Sequence, residues 1–157
     1  MAKGNNQKLK LLYLTKIFME KTDESHALTL AEITAQLNAY EVTADRKTLY
    51  LDFEELKRYG LDIVSEQCGK TVVYHLASRQ FELAELKLLV DSVQSAKFIT
   101  EKKSNSLIKK LESLVSEHEA KQLHRQVITA GRVKTMNESI LINVDSCLLY
   151  TSDAADD

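Results

Sequence analysis

Apolar residues recur at helical spacing through the first 60 residues and predict three helices. Residues 7–21 carry a wide apolar stripe, which suits a helix that packs across the two that follow. A second helix opens at Thr29, which forms the capping-box pattern Thr-x-x-Glu with Glu32. A third helix is predicted over residues 43–59, and Gly60 supplies the left-handed residue that ends such a helix. Its core face is marked by residues spaced i, i+4 and i+7: Leu49, Phe53 and Leu56.

The period changes from helical to alternating after the third helix. Residues 61–66 and 71–76 are rich in β-branched side chains and flank a glycine-containing loop at 67–70, so the sequence predicts a β-hairpin. Two helices joined by a tight turn form a helix-turn-helix, and a hairpin directly after them is a wing. The predicted fold is mainly α with a small β-hairpin: a winged helix-turn-helix over residues 1–79, followed by a helical arm.

The third predicted helix carries side chains that suit DNA. Basic and hydroxyl groups at its start, together with unpaired backbone N–H groups, match the acceptors of a phosphate backbone and a major groove. Leu51 is apolar at an outward position, where it either touches a thymine methyl group or is simply exposed. The alternative interpretation of all these side chains is an ordinary solvent-exposed helix face that does not bind DNA. The predicted DNA-binding residues, with one lysine from the hairpin tip, are Thr43, Arg46, Lys47, Thr48, Tyr50, Leu51, Arg58 and Lys70.

Residues 80–126 are predicted to form a helical linker or dimerisation arm. Amphipathic patterns cover residues 81–99 and 105–115, and a second capping-box pattern at Ser116 opens a short helix that ends at Leu123. These helices carry more apolar surface than a small hairpin can cover. Two alternatives follow, an intrachain helical bundle or a homodimer that contacts two DNA half-sites. We expect the homodimer.

Composition limits the remaining function classes. No apolar run is long enough to span a bilayer and no signal-peptide core is present, so we expect a cytoplasmic, nucleoid-associated protein. The net charge is −2, and residues 1–79 hold 11 basic and 11 acidic side chains, so any DNA affinity must come from a local patch. Scattered histidines, two distant cysteines and the lack of a glycine-rich phosphate loop predict no enzyme activity, no metal and no cofactor.

Several separate blocks closely resemble bacterial WYL-domain transcriptional regulators. The strongest block is ADRKTLYLDFEEL at residues 44–56, in the predicted recognition helix. The resemblance extends over essentially residues 7–145. The other blocks are residues 60–63, 81–91, 97–100, 102–104, 107–111, 132–140 and 143–145.

The resemblance implies a division of labour along the chain. In that family an N-terminal winged helix binds operator DNA and a C-terminal WYL domain senses an effector. It implies that Arg46, Lys47, Thr48 and Tyr50 lie at the DNA, whereas Leu51 departs from the polar residue that relatives often have. The implied partners are double-stranded operator DNA, a second copy of the chain, and an unknown effector held by the C-terminal domain.

The C-terminal part of the chain is predicted to be a truncated domain followed by a non-native tail. Residues 127–145 have a β-like pattern and are interpreted as the start of a truncated WYL-type sensor region. Residues 146–157 resemble a translated sequencing adapter and are interpreted as a non-native tail, the alternative being an ordinary acidic C-terminus. The predicted function is an N-terminal fragment of a sequence-specific transcriptional regulator. The alternative is a winged-helix protein–protein interaction module that does not bind DNA.

Overall fold

The fold was analysed in a computed structural model that describes residues 6–129, with side chains for residues 6–125. The chain is mainly helical with a small three-stranded antiparallel sheet, which confirms the predicted class at that level. No helix in the described part combines the length and apolar character needed to cross a membrane. After a turn of 3-10 helix, the elements are α1 (Lys10–Lys21), β1 (Leu28–Thr29), α2 (Leu30–Ala39), α3 (Arg46–Tyr59), β2 (Ile63–Cys68), β3 (Thr71–Leu76), α4 (Leu83–Ser95), α5 (Glu101–Glu112) and α6 (Glu117–Thr129).

The chain divides into two compact units. Unit 1 comprises Met1–Phe81 together with Leu114–His118, and unit 2 comprises Glu82–Ser113 together with Glu119–Asp157. Unit 1 is therefore discontinuous in sequence. It contains α1 to α3 and the whole sheet.

The capping signal of α2 acts as predicted. The Glu32 N–H donates to the Thr29 hydroxyl at 3.3 Å, and the Thr29 N–H donates to the Glu32 carboxylate at 2.7 Å. The turn after α2 passes through Glu41 at a φ of 59°, a left-handed value, and then buries Val42 completely. That apolar plug fixes the direction in which the chain enters α3.

Helix α3 begins at Arg46, so the predicted start at Thr43 is wrong by three residues. Asp45 is the N-cap, and its carboxylate accepts from the Thr48 N–H at 2.9 Å. Thr43 and Asp45 are both acceptable caps, and the carboxylate is the one that is used. The end at Gly60 is confirmed, with a φ of 117°. The predicted core face is confirmed as well, since its three members are buried: Leu49, Phe53 and Leu56.

The predicted hairpin is present, with its first strand shifted two residues toward the turn. Strands β2 and β3 pair antiparallel from Ile63↔Leu76 to Cys68↔Thr71, which leaves a two-residue turn. Gly69 occupies the first turn position at a φ of 61°, as a type II′ turn requires. The two-residue strand β1 pairs with β3 and completes the order β1-β3-β2. Two residues are too few to produce a periodic pattern, so β1 was not predicted.

Aromatic rings join the helices of unit 1 to its sheet. The Phe53 ring from α3 lies 5.4 Å from Phe18 of α1 and 5.1 Å from Tyr74 of β3, between ring centroids. The buried Thr22 hydroxyl donates to the Phe18 carbonyl at 2.7 Å and accepts from the Leu76 N–H at 3.1 Å. These contacts fix α3 against the hairpin and so position the surface described below.

Unit 2 differs from its predicted helix boundaries. Helix α4 ends at Ser95, and α5 starts at Glu101 behind an N-cap at Thr100, whose hydroxyl accepts from the Lys103 N–H at 3.3 Å. Helix α6 starts directly after Ser116, as predicted, but continues to Thr129. The β-like interpretation of residues 127–129 is therefore wrong, because Leu123 and Val127 continue the helical i, i+4 spacing. Residues 130–145 and the tail at 146–157 lie outside the described residues.

Candidate nucleic-acid interface

The first turn of α3 is a capped helix start. The hydroxyl of half-buried Thr48 donates to the Asp45 carbonyl at 2.9 Å, so this side chain belongs to the cap. Hydrogen bonds from the backbone N–H groups of Thr48 and, more weakly, Lys47 lower the pKa of Asp45. The expectation of unpaired N–H groups at this helix start is thus wrong for both residues. A carboxylate already occupies the position that a phosphate would take.

Arg46 is held by a neighbour on the same helix. Its Nε–H donates to the Tyr50 hydroxyl at 3.0 Å, and its guanidinium carbon lies 5.8 Å from the centre of the Tyr50 ring. The hydrogen bond from Arg46 lowers the pKa of Tyr50, whereas burial raises the pKa of Tyr74.

A cleft of about 510 Å³ opens where the start of α2, the start of α3 and the hairpin meet. Two cations, Arg46 and Lys70, are among the residues that line it, and no carboxylate is. We call this surface the basic cleft. Its lining residues are Thr29, Leu30, Ala31, Thr34, Arg46, Tyr50, Lys70, Thr71, Val72 and Tyr74.

The structure brings three of the predicted site residues together in the basic cleft: Arg46, Tyr50 and Lys70. Lys47 and Leu51 are exposed elsewhere on the first half of α3, and Leu51 keeps 67% of its surface accessible. Thr43 is exposed ahead of the helix, where its carbonyl accepts from the Gln7 side chain at 2.9 Å.

Arg58 lies apart from the other predicted residues. Twelve residues of helix separate it from Arg46, which is a rise of about 18 Å. Its guanidinium pairs with Glu55 at 2.9 Å, and Lys57 pairs with Glu54 at the same distance. Within residues 6–125, by contrast, Arg46, Lys47 and Lys70 form no ion pair. In this part of the chain, the cations at the start of α3 and at the hairpin tip are thus without ion pairs, unlike those at the end of α3.

Sequence reasoning missed a second polar cluster in unit 1. The carboxylate of Asp23, which is 4% exposed, contacts the His26 ring nitrogen Nδ1 at 2.7 Å and accepts from the Ser25 N–H at 2.9 Å. Its other oxygen accepts from the Ser116 hydroxyl at 2.5 Å. The His26 ring stacks on His118, with 3.7 Å between centroids and 3° between planes. No local pattern connects residues more than 90 positions apart, so the sequence offered no signal for this cluster.

Hydrogen bonding decides the charge state of this cluster. Burial of Asp23 raises its pKa, but the hydrogen bonds from Ser116, His26 and the Ser25 N–H outweigh burial and leave the pKa below its ordinary value. Among the described residues, no group of three histidine, cysteine or acidic side chains is arranged to hold a metal ion. The cluster therefore ties the segment Leu114–His118 to the loop after α1.

Comparison with known proteins adds no relative: no family model, curated protein or solved structure matches this chain. The proposals below accordingly rest on the residues and their geometry.

Proposed function

We propose that this chain is a sequence-specific, DNA-binding transcriptional regulator, the N-terminal part of a WYL-type protein, and that residues 1–79 act as a winged helix-turn-helix. The observation that carries the proposal is that a cation without an ion pair among the described residues from the start of α3, Arg46, and one from the tip of the β2–β3 hairpin, Lys70, line the same cleft. In this arrangement α3 is the recognition helix and the hairpin is the wing. Lys70 and Arg46 contact phosphates on either side of the groove that α3 enters.

The near-neutral net charge of the chain is compatible with this proposal because the glutamates of α3 lie in the second half of the helix. Glu54 and Glu55 neutralise Lys57 and Arg58 in the second half of the helix. A DNA backbone that approaches the first half therefore meets Arg46 and Lys47 before any carboxylate other than the capping Asp45. Local potential, and not net charge, is what attracts a phosphate at close range.

Selection of the full chain against a random duplex pool, followed by anisotropy titration at several salt concentrations, tests the proposal. We expect an enriched motif and a log–log salt slope of about −0.9 per phosphate contact. A palindromic motif is expected if two copies bind two half-sites, as we also propose. The effector is proposed to bind the C-terminal sensor domain of the longer regulator.

Variants of single cations provide the matched comparison. We expect Arg46→Ala, Lys47→Ala and Lys70→Ala each to weaken binding and to reduce the salt slope by about one contact. Lys57→Ala removes a cation from the same helix, but one already paired with Glu54, and should leave the slope unchanged. Equal effects in all four variants would contradict the proposed surface, because they would show that DNA affinity depends only on the net charge of the chain.

A protein–protein interaction module is the second candidate function. The observation that favours it is Leu51, an apolar side chain 67% exposed on the first half of α3. Such a face suits a protein partner better than a phosphate backbone. Absence of any salt-dependent duplex binding in the titration would favour this candidate over the first.

A further inference from the structure

The guanidinium of Arg46 is held by a ring that lies beside the core of unit 1. The Tyr50 hydroxyl accepts from the Arg46 Nε–H at 3.0 Å, and the guanidinium carbon lies 5.8 Å from the centre of the Tyr50 ring. Tyr50 lines the basic cleft together with Tyr74, which is 7% exposed and packs 5.1 Å from Phe53 between ring centroids. An exposed cation is thereby held by a side chain of the same cleft that the buried Tyr74 lines.

The connection matters because an exposed arginine is ordinarily mobile. Its side chain carries about 2 kcal/mol of rotamer entropy, part of which is lost whenever a partner fixes it. In this chain the Nε–H bond and the ring of Tyr50 already restrict Arg46. That bond uses only Nε, so the terminal nitrogens keep their four N–H donors for two neighbouring acceptor atoms.

We propose that Tyr50 is a positioning residue and not a DNA contact: it holds the Arg46 guanidinium in its binding orientation before DNA arrives. The inference rests on the proposed function and assigns roles within its surface. It revises the predicted role of Tyr50, which was expected to touch DNA. The ligand of Arg46 is a pair of adjacent acceptors, supplied either by a phosphate or by the O6 and N7 atoms of guanine.

A double-mutant cycle on the selected duplex tests this arrangement. Tyr50→Phe keeps the ring and removes the hydroxyl, so we expect binding to weaken about 2- to 13-fold with an unchanged salt slope. Arg46→Ala should weaken binding further and reduce the slope. The double variant should bind no more weakly than Arg46→Ala alone, because Tyr50 acts only through Arg46. Multiplying effects, or no effect of Tyr50→Phe, would overturn the inference.

The cycle also distinguishes the two sources of acceptors. If Arg46 contacts a phosphate, Arg46→Ala weakens binding about equally for all duplex sequences. If it contacts guanine, the variant loses discrimination at one position of the motif. In both cases Tyr50→Phe should show the same pattern as Arg46→Ala, at smaller amplitude.

A measurement without DNA separates this inference from the proposed function. We expect the Nε–H proton of Arg46 to exchange with water more slowly than that of Arg58, whose side chain is 77% exposed and bonded to Glu55 through Nη1. Tyr50→Phe should remove the difference. Equal exchange of the two arginines in the parent would overturn the inference. If the Arg46 proton exchanges slowly but the chain binds no DNA, the proposed function is overturned, and with it the role of Tyr50 in DNA binding. The positioning of Arg46 by Tyr50 would still be established.

Discussion

Unit 1 and unit 2 treat neighbouring leucines in the same way. In unit 1, α1 buries Leu14 completely within one cluster of core side chains but leaves Leu12 67% exposed. In unit 2, α4 buries Leu86 and Val90 completely but leaves Leu88 68% exposed. The same residue type at neighbouring positions of one helix thus has opposite environments in both units. The face of the helix on which an apolar residue lies, and not its apolar character alone, decides whether it is buried.

The largest expected effect tests the core of unit 1. Phe53→Ala removes a ring that contacts both Phe18 and Tyr74, so we expect a loss of about 3–5 kcal/mol in the free energy of unfolding. Chemical denaturation of the full chain measures it. Tyr59→Ala is the matched control on the same helix, because that ring is 82% exposed and its removal should change stability by less than about 0.5 kcal/mol. Overlapping curves for parent and Phe53→Ala would contradict the assigned core.

A matched pair of leucines tests unit 2. Leu86→Ala empties a completely buried position and should destabilise the unit by about 2–5 kcal/mol, whereas Leu88→Ala should cost less than about 0.5 kcal/mol. Amide hydrogen exchange within α4 and α5 reports both effects. If Leu88→Ala is as damaging as Leu86→Ala, Leu88 is covered in solution, and the contrast between these two leucines disappears.

The smallest expected effect concerns the acid stability of unit 1. The folded pKa of Asp23 is lowered, so its carboxylate stabilises the fold above its unfolded pKa of about 3.9, and this contribution is lost as pH falls through the folded pKa. Asp23→Asn should therefore cost about 1–3 kcal/mol at pH 7. The difference from the parent should shrink below about pH 4.

Paired denaturation series from pH 7 down to acid provide the measurement. Glu32 and Asp45 also have lowered pKa values, but they titrate in both proteins and cancel in the difference. A difference that stays constant through the acid range would show that Asp23 is not the titrating group.

Local signals predicted most of unit 1. The capping box at Thr29, the helix end at Gly60 and the alternation of the hairpin act within a few residues, so the sequence contains each of them in full. The start of α3 was missed because Thr43 and Asp45 both suit an N-cap, and only packing decides between them. The strand β1 is defined only by its pairing with β3, and no local sequence pattern predicts that pairing.

The candidate site was predictable in its members but not in its connections. Helical geometry placed Arg46 and Tyr50 on one flank of α3, and four residues of spacing allow them to touch. That Lys70 and Tyr74 line the same cleft as Tyr50 depends on how the hairpin packs against α3. The cluster at Asp23 depends on a residue 93 positions away. Tertiary contacts of this kind depend on how distant parts of the chain pack, so no local sequence pattern predicts them.

The contact between Asp23 and Ser116 also sets an order of events during synthesis. When the ribosome has synthesised the chain as far as Phe81, all residues of the sheet and of the first three helices are present. Residues 114–118 of the same unit have not yet been synthesised. At about 5–20 residues per second, the missing segment follows after about 2–7 s. During that interval the carboxylate of Asp23 lacks the Ser116 hydroxyl, and His26 lacks the ring that stacks on it. Docking of residues 114–118 can therefore begin only after residues 82–113 have been synthesised.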